Sequence, residues 1–473
     1  MAAAAAEVRK KKKIIPVTLG VVVLLSSYVL PPVGEIEHAG WASIAIIVFA
    51  IIFWATEVIP PAVTGMAILS LIPIMGVMGY QETFGNLGTV MIWRLMAIFI
   101  LTSAIQKVGL ADRVAYRILL FTKGNVKSTL FCFLLLNFIF SFIIPNSVAR
   151  TTLCVTVIAS YLETANVEKG GNIGKAFMIT LPAASAITAS AIMVGASVDI
   201  FAAHIFHTMV GYTWTYMSWM IVNVPFCLAM TFMIFLTSIF VFPPEKKHIV
   251  HGDEVIRNKI NELGKMRTKE WFVIIVFVGL LVMWFSDISE TVPAEMAAAF
   301  LVVIPHRWQS LNWKEAMKAV KWDILLLFGA SIAMASALRQ SGAVSWLAES
   351  IFSHLSGISP AILVVMVVSM TMLVRLGMTN MTGAAAVLLP LLLTAAIGIG
   401  VNPVWLGMIC VVSCCGAFFY PAQSANSLFA YNFGYYEAKH MLKFGLVLFV
   451  VFNVTLIPIA LFYWPLVGVP ILA

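Results

Sequence analysis

The chain has 473 residues, 61% of them hydrophobic and only 11% charged, against about 25% charged in ordinary soluble domains. This excludes a soluble globular class and implies an all-α polytopic membrane protein whose first partner is the lipid bilayer. The net charge of +8 does not point to nucleic acid as a partner. The basic residues fall in the gaps between apolar runs, where they set topology.

Residues 1–40 comprise a basic N-terminal segment and a first span over 14–30, anchored by Arg9–Lys13. No cleavable signal peptide is evident, because the apolar run ends at Pro31-Pro32 without a small-residue cleavage pattern. Spans at 41–59 and 62–79 follow, joined at Pro60-Pro61, and a further span covers 87–106. The stretch 131–163 differs from these. Its apolar arms, Phe131–Phe142 and Leu153–Tyr161, are each shorter than the roughly 20 residues a membrane-crossing helix needs. Between them stand Pro145, Asn146, Ser147 and Arg150. Polar, irregular backbone at membrane depth is tolerated only inside protein or beside a watery cavity, so the pattern predicts a re-entrant hairpin. A span at 176–205 is interrupted by Pro182 and by the patch Gly195–Asp199, and 219–242 closes the first unit, 41–242.

The hydrophilic stretch 243–270 is read as a cytoplasmic linker or surface helix. The second unit, 271–473, repeats the plan with spans at 271–285, 292–305, 323–338, 405–431 and 442–464. Its hairpin is predicted over 358–398 with the tip at 376–383, and its interrupted span breaks at 420–426. Landmarks repeat at a nearly constant offset: Trp54 with Trp284, Trp93 with Trp322, Asn146 with Asn380 and Asp199 with Asn426, 227 to 234 residues apart. About eleven transmembrane helices result, in two repeats that each hold a hairpin and an interrupted helix. Five crossings per unit make the second repeat inverted relative to the first. With the N-terminus in the cytoplasm and the C-terminus outside, 25 of 29 Lys and Arg residues are cytoplasmic, Arg94, Arg150, Arg339 and Arg375 excepted. The hairpins then enter from opposite faces and their tips meet near the midplane, as expected of a multi-pass secondary transporter in the plasma membrane.

The chemistry points to a small anionic substrate. Arg150 offers a guanidinium suited to paired contacts with carboxylate, sulfonate or sulfate, and hairpin N-termini add positive dipole ends. Asn146, Ser147, Thr379, Asn380, Thr382, Gln423 and Ser424 add neutral hydrogen-bonding groups. Candidate cation ligands are Asn146, Ser197, Asp199, Asn380 and Asn426. Structural roles compete for several residues: Arg150 could pair with hairpin carbonyls, Asp199 could cap a helix break, and Arg375, without a counterpart in the first arm, is expected to pair structurally. Glu57 and Asp287 are expected to cap helix ends. His204 and His207 lack a third metal ligand, and no enzyme motif is present: neither HExxH, nor paired intramembrane carboxylates, nor a Ser/His/Asp set. No cofactor is expected.

Two hairpins, each followed by an interrupted span, together with Ile144-Pro145 at the first tip and Ala386–Pro390 after the second, resemble the divalent-anion/sodium symporter (DASS) family over residues 14–465. The family's Ser-Asn-Thr motifs align with Asn146-Ser147-Val148 and Asn380-Met381-Thr382. Its Thr-Pro-Pro-Asn patches align with Ala196–Asp199 and Gln423–Asn426. The resemblance implies a secondary active transporter of di- or tricarboxylates, a homodimer in which a hairpin-bearing unit slides as an elevator against a scaffold formed by 62–79, 87–106, 292–305 and 323–338. Val148 and Met381 replace polar members of the motifs, and Asp199 replaces an amide. Na⁺ coupling is favoured by the resemblance. Proton coupling, sodium-independent anion exchange, an oxyanion or sulfonate permease and an ion antiporter of the same superfamily stay open.

Overall fold

The computed structural model describes residues 2–32, 36–56, 58–110, 113, 117, 124–144, 146–248, 260–262, 264–286, 292–350 and 357–472. Pro145, Glu57, Asp287 and most of the hydrophilic linker lie outside them, so the expectations for those positions fall on undescribed residues. Among the described residues the secondary structure is helical, apart from two isolated β-bridges.

The first half runs α1 (Ala2–Val29), α2 (His38–Thr56), α3 (Pro61–Ile74), α4 (Tyr80–Gly85), α5 (Val90–Val108), α6 (Val126–Ser141), α7 (Ser147–Thr164), α8 (Asn172–Ile187), α9 (Ser197–Val210) and α10 (Tyr216–Val241). The second half runs α11 (Thr268–Phe285), α12 (Val292–Val303), α13 (Trp313–Ala319), α14 (Trp322–Gln340), α15 (Ala343–Ser350), α16 (Pro360–Gly377), α17 (Met381–Ile399), α18 (Pro403–Cys414), α19 (Ala425–Tyr431) and α20 (Ala438–Pro458). The order of elements from α2 to α10 therefore returns from α11 to α20. Among the described residues eight helices are long and apolar enough to cross a membrane, and seven shorter apolar helices accompany them. The shorter set includes α6, α9 and α18, which belong to the expected hairpin and interrupted spans.

The sequence dictates these interruptions locally. Asn146 and Asn380 are extended residues whose side-chain oxygens accept the first free N–H groups of α7 and α17. Such caps satisfy donors that a starting helix cannot pair internally. Gly195 lies in the first break, where a Cβ would stand 2.0 Å from the Ala189 carbonyl oxygen, so no larger residue fits. The second break is longer than the sequence suggested. α18 stops at Cys414 rather than near Tyr420, and Cys415–Ser424 is non-helical except for one 3₁₀ turn, Pro421–Gln423. Just past the stop Gly416 fits where a larger residue would not: a Cβ there would stand 2.5 Å from the Met372 methyl and 3.0 Å from the Ser413 carbonyl.

Packing divides the helices into two groups. In one, α3 lies against α14 and α5 against α12. Gly65 permits the close approach of α3, with a Cβ there only 3.1 Å from the Ala330 Cβ, the small-residue contact favoured between membrane helices. α5 and α12 are tied by a buried ion pair, Arg94 Nε to Glu295 at 3.1 Å. The same carboxylate accepts from the Tyr216 hydroxyl at 2.6 Å and the Trp284 indole at 2.9 Å. In the other group α7 packs on α8 and α19, and α17 packs on α18 and α9. Each hairpin is thus wedged between the interrupted helices of both halves. The two groups meet chiefly where α9 touches α5 and α14.

The segment following the last helix of each half folds back to the start of that half's interrupted helix. Glu245 accepts the backbone N–H groups of Asn172 and Ile173 at the start of α8, and Lys247 O accepts from Val126 N at 3.0 Å. In the second half the Ile471 carbonyl accepts from Asn402 N, at the start of α18, at 2.8 Å.

Candidate binding site

The two tips and the two breaks border one cavity of about 410 Å³. Asn146–Val148 come from the first tip and Thr379–Met381 from the second; Ala196–Val198 come from the first break, and Ala422 with Ser424–Asn426 from the second. Phe99 on α5, with Lys321 and Ile324 at the start of α14, complete the opposite wall. Each of the four segments is the N-terminus of a helix, namely α7, α17, α9 and α19. Helix N-termini present unpaired N–H groups and the positive end of the dipole. Among the described residues no acidic side chain lines the cavity. The arrangement is chemically disposed to hold an anion.

Most of the residues expected from sequence come together here. Asn146, Ser147, Ser197, Thr379, Asn380, Ser424 and Asn426 all line the wall. Asn146 Oδ1 accepts from Ala149 N at 3.1 Å, and Asn380 Oδ1 accepts from Thr382 N at 2.9 Å. Each thereby keeps its amide NH₂ clear of the cap. The buried Asn426 Nδ2 has no protein partner. Thr382 lies just behind the wall and shares a hydrogen bond of 2.9 Å with Ser197, joining the second tip to the first break.

Three of the expected residues stand off the wall, and Arg150 and Asp199 take the structural roles that competed for them in the sequence. Arg150 does not line the cavity; it is fully buried behind the first tip and donates to three backbone carbonyls. Nη1 reaches Ile144 O at 2.8 Å and Gly195 O at 3.4 Å, and Nη2 reaches Ser185 O at 2.9 Å. The carbonyls left over at the turn and the break need donors, and the guanidinium supplies them. Gln423 is likewise turned inward, accepting from Phe419 N at 2.9 Å and donating to Arg375 O at 3.4 Å. Asp199 is buried off the cavity with both carboxylate oxygens engaged, one by Ser190 Oγ at 2.9 Å and one by Ala196 N at 3.1 Å. It caps the break at α9.

Arg375 has a counterpart after all. It donates to Cys414 O at 3.0 Å and to Met378 O. Those two carbonyls stand 229 and 234 residues after Ser185 and Ile144, the acceptors of Arg150. The two arginines make equivalent clamps from opposite arms of their hairpins.

Sequence reasoning missed Phe99, Ile324 and above all Lys321. Lys321 sits in a basic connecting segment, where every lysine reads as a topology signal. His204 bonds Thr208 at 3.2 Å, and no group of three or more His, Cys, Asp or Glu among the described residues is placed to hold a metal ion.

Residues 11–469 match the family described as the sodium:sulfate symporter transmembrane region. The chain is similar to the sodium-dependent dicarboxylate transporter SdcS of Staphylococcus saprophyticus, with 24% identity over 92% of this chain and 88% of that one. SdcS of Staphylococcus aureus strain USA300 is also 24% identical, over 97% and 94% of the two chains. Among solved structures, Neisseria gonorrhoeae MtrF, presented among antimetabolite efflux pumps, aligns with a TM-score of 0.57 at 12% identity over 97% and 96% of the chains. The Alcanivorax borkumensis YdaH transporter aligns at 0.55, also with 12% identity, over 87% and 99%. At that identity the two structures show the fold alone.

Proposed function

The chain belongs to the sodium:sulfate symporter family of membrane transporters, and from that premise we propose that it is a secondary active transporter of small divalent organic anions, di- or tricarboxylates, coupled to Na⁺. The observation that carries this reading is the meeting of four helix N-termini at one cavity with amide and hydroxyl side chains and no acidic lining. Such a site compensates negative charge with dipoles and neutral donors, and it leaves no fixed ion pair to be broken on release. Relatives described as sodium-dependent dicarboxylate transporters support both the substrate class and the ion. Ser197, Asn146, Asn380 and Asn426 are the proposed contributors to cation binding, with Asp199 holding the shape of the first break.

Elevator-type alternating access is the proposed mechanism. The hairpins α6–α7 and α16–α17, with α8, α9, α18 and α19, form the moving unit. α3, α5, α12 and α14 form the fixed one, in a homodimer. The division of packing into these two groups supports the assignment. In the inverted topology with a cytoplasmic N-terminus, Lys321 belongs to the cytoplasmic side, and the cavity it shares with the tips is the inward-facing state.

The test is uptake of radiolabelled succinate, citrate and sulfate into proteoliposomes, with and without Na⁺ and a pH gradient. Succinate accumulation that requires Na⁺ is expected. Absence of uptake for all three anions would overturn the reading. A second reading, sodium-independent exchange, draws on Val148 and Met381, apolar side chains on the cavity wall at both tips. Counterflow of succinate undiminished in sodium-free medium would favour it.

A further inference from the structure

Both arginines near the tips are committed to backbone carbonyls, so neither brings a positive charge to the cavity wall. One cationic residue does line it, Lys321. It is solvent-exposed, occupies the N-cap position of α14, and among the described residues no hydrogen bond or ion pair engages its ammonium. Its location is also distinctive: the polar tips and breaks belong to the group of helices around the hairpins, whereas α14 belongs to the group packed on α3.

The equivalent place on the opposite face is chemically different. Trp322 answers to Trp93 at an offset of 229, so Lys321 answers to Ile92. The residues flanking Ile92 border a second cavity, of about 540 Å³, together with Arg94, His204 and His207. There the guanidinium is already matched by Glu295 at 3.1 Å. One face of the molecule therefore offers an anion a lysine at the start of the fixed helix, and the other offers isoleucine at the same register.

Resting on the transport reading above, we infer that Lys321 is a specificity-determining residue that reads the second negative charge of the substrate in the inward-facing state only. The four helix ends and the amides hold one carboxylate on the moving unit, and the ammonium of Lys321 faces the other across the cavity. When the hairpins move away the lysine stays behind, so its contribution is lost on the outer face. The consequence is a site that binds dianions more tightly from the cytoplasmic side than from outside, with much less asymmetry for monoanions.

The experiment compares the wild type, Lys321→Gln and Lys321→Arg in proteoliposomes of defined orientation. Competition by succinate and by the monoanion butyrate is measured separately from each face, at fixed Na⁺ and with choline chloride as the variable salt. Because the pair is exposed to water, the expected change is modest: Lys321→Gln weakens succinate competition from the cytoplasmic face about five-fold. Butyrate competition and the outer face stay unchanged, and Lys321→Arg keeps most of the wild-type affinity. Added choline chloride should weaken cytoplasmic succinate binding in the wild type and not in Lys321→Gln. Equal loss on both faces, equal loss for butyrate, or no loss would overturn the inference while leaving the transport reading intact. A wild type that recognises neither succinate nor any other dianion would overturn both.

Discussion

The two hairpins reach one cavity by different arrangements of the same chemistry. In the first, the clamping arginine follows the tip by four residues, and in the second Arg375 precedes Asn380 by five. Both point at the turn of their own hairpin and at the end of the interrupted helix behind it. Arg150 does more, because it also takes Gly195 O in the middle of the first break. In the second half the additional stitching falls to Gln423, which bonds Phe419 N and Arg375 O. The two halves thus share a set of acceptors and differ in the position of the side chain that serves them. A buried carbonyl needs some donor, and geometry rather than position in the chain decides which residue supplies it.

The strongest way to break that comparison is to remove the clamps. Arg150→Gln leaves up to three buried carbonyls without a donor, at about 1–3 kcal/mol each, so thermal unfolding without ligand should show a loss of about 3 kcal/mol or more. Arg375→Gln should cost less, because Gln423 still ties the second break. Arg150→Lys should fall between, since it keeps the charge but not the planar fork. A ranking with Arg375→Gln as the more damaging would break the equivalence drawn above.

Next in size are the tip asparagines. Asn146→Ala and Asn380→Ala should each weaken succinate binding about 10- to 150-fold, the cost of one hydrogen bond to an anion. Each also loses a helix cap worth roughly 1 kcal/mol. Similar losses from the two sharpen the view that the halves contribute equally, and a normal affinity in either folded variant would remove that tip from the site.

A smaller effect is expected at the breaks. Ser424 caps α19 through Ser427 N at 3.1 Å, whereas Ser197 bonds Thr382 across the cavity wall. Ser424→Ala should therefore lower stability by about 1 kcal/mol, while Ser197→Ala should act more on ligand binding than on unfolding temperature. Smallest of all is the surface link between the halves, Lys107 to Glu315 at 2.6 Å. The hydrogen bond from Lys107 holds the Glu315 carboxyl below its ordinary value of 4.5. Its contribution is present at neutral pH and is lost as the pH falls below that value. Glu315→Gln should lower the unfolding temperature slightly at neutral pH, and the difference from the wild type should vanish in acid, where the carboxyl is protonated.

The repeating order of helices was legible because apolar length and Asn, Gly and Pro punctuation act locally, and the offsets between Trp93 and Trp322 or Asn146 and Asn380 record it. The positions of the tips at Asn146 and Asn380 were legible for the same reason, though not the capping role of the two side chains. The role of Arg150 was legible only in part: pairing with hairpin carbonyls was one of its two readings, but the acceptors beyond the hairpin are backbone oxygens up to 45 residues away, and an acceptor of that kind carries no side-chain signature. Extending the offset from Ile144 to Met378 and from Ser185 to Cys414 would have revealed the paired clamps only once the first set of partners was known. Lys321 was hidden by its surroundings: in a cytoplasmic segment a lysine satisfies the topology rule whether or not it also faces a cavity.

The returning tails bear on how the protein is made. The start of α8 waits for Glu245, and the start of α18 waits for Ile471. In each half, then, a helix inserted early keeps exposed amides until a segment some 70 residues downstream has left the ribosome. The first half can seal its base as soon as residues 243–248 emerge, while synthesis of the second half continues. The second half must hold its hairpin and interrupted helix in the bilayer unsealed until residues 469–472 arrive. Released fragments ending at 250 and at 466 should therefore differ in protease resistance, with a closed first half in both and an open second half in the longer one.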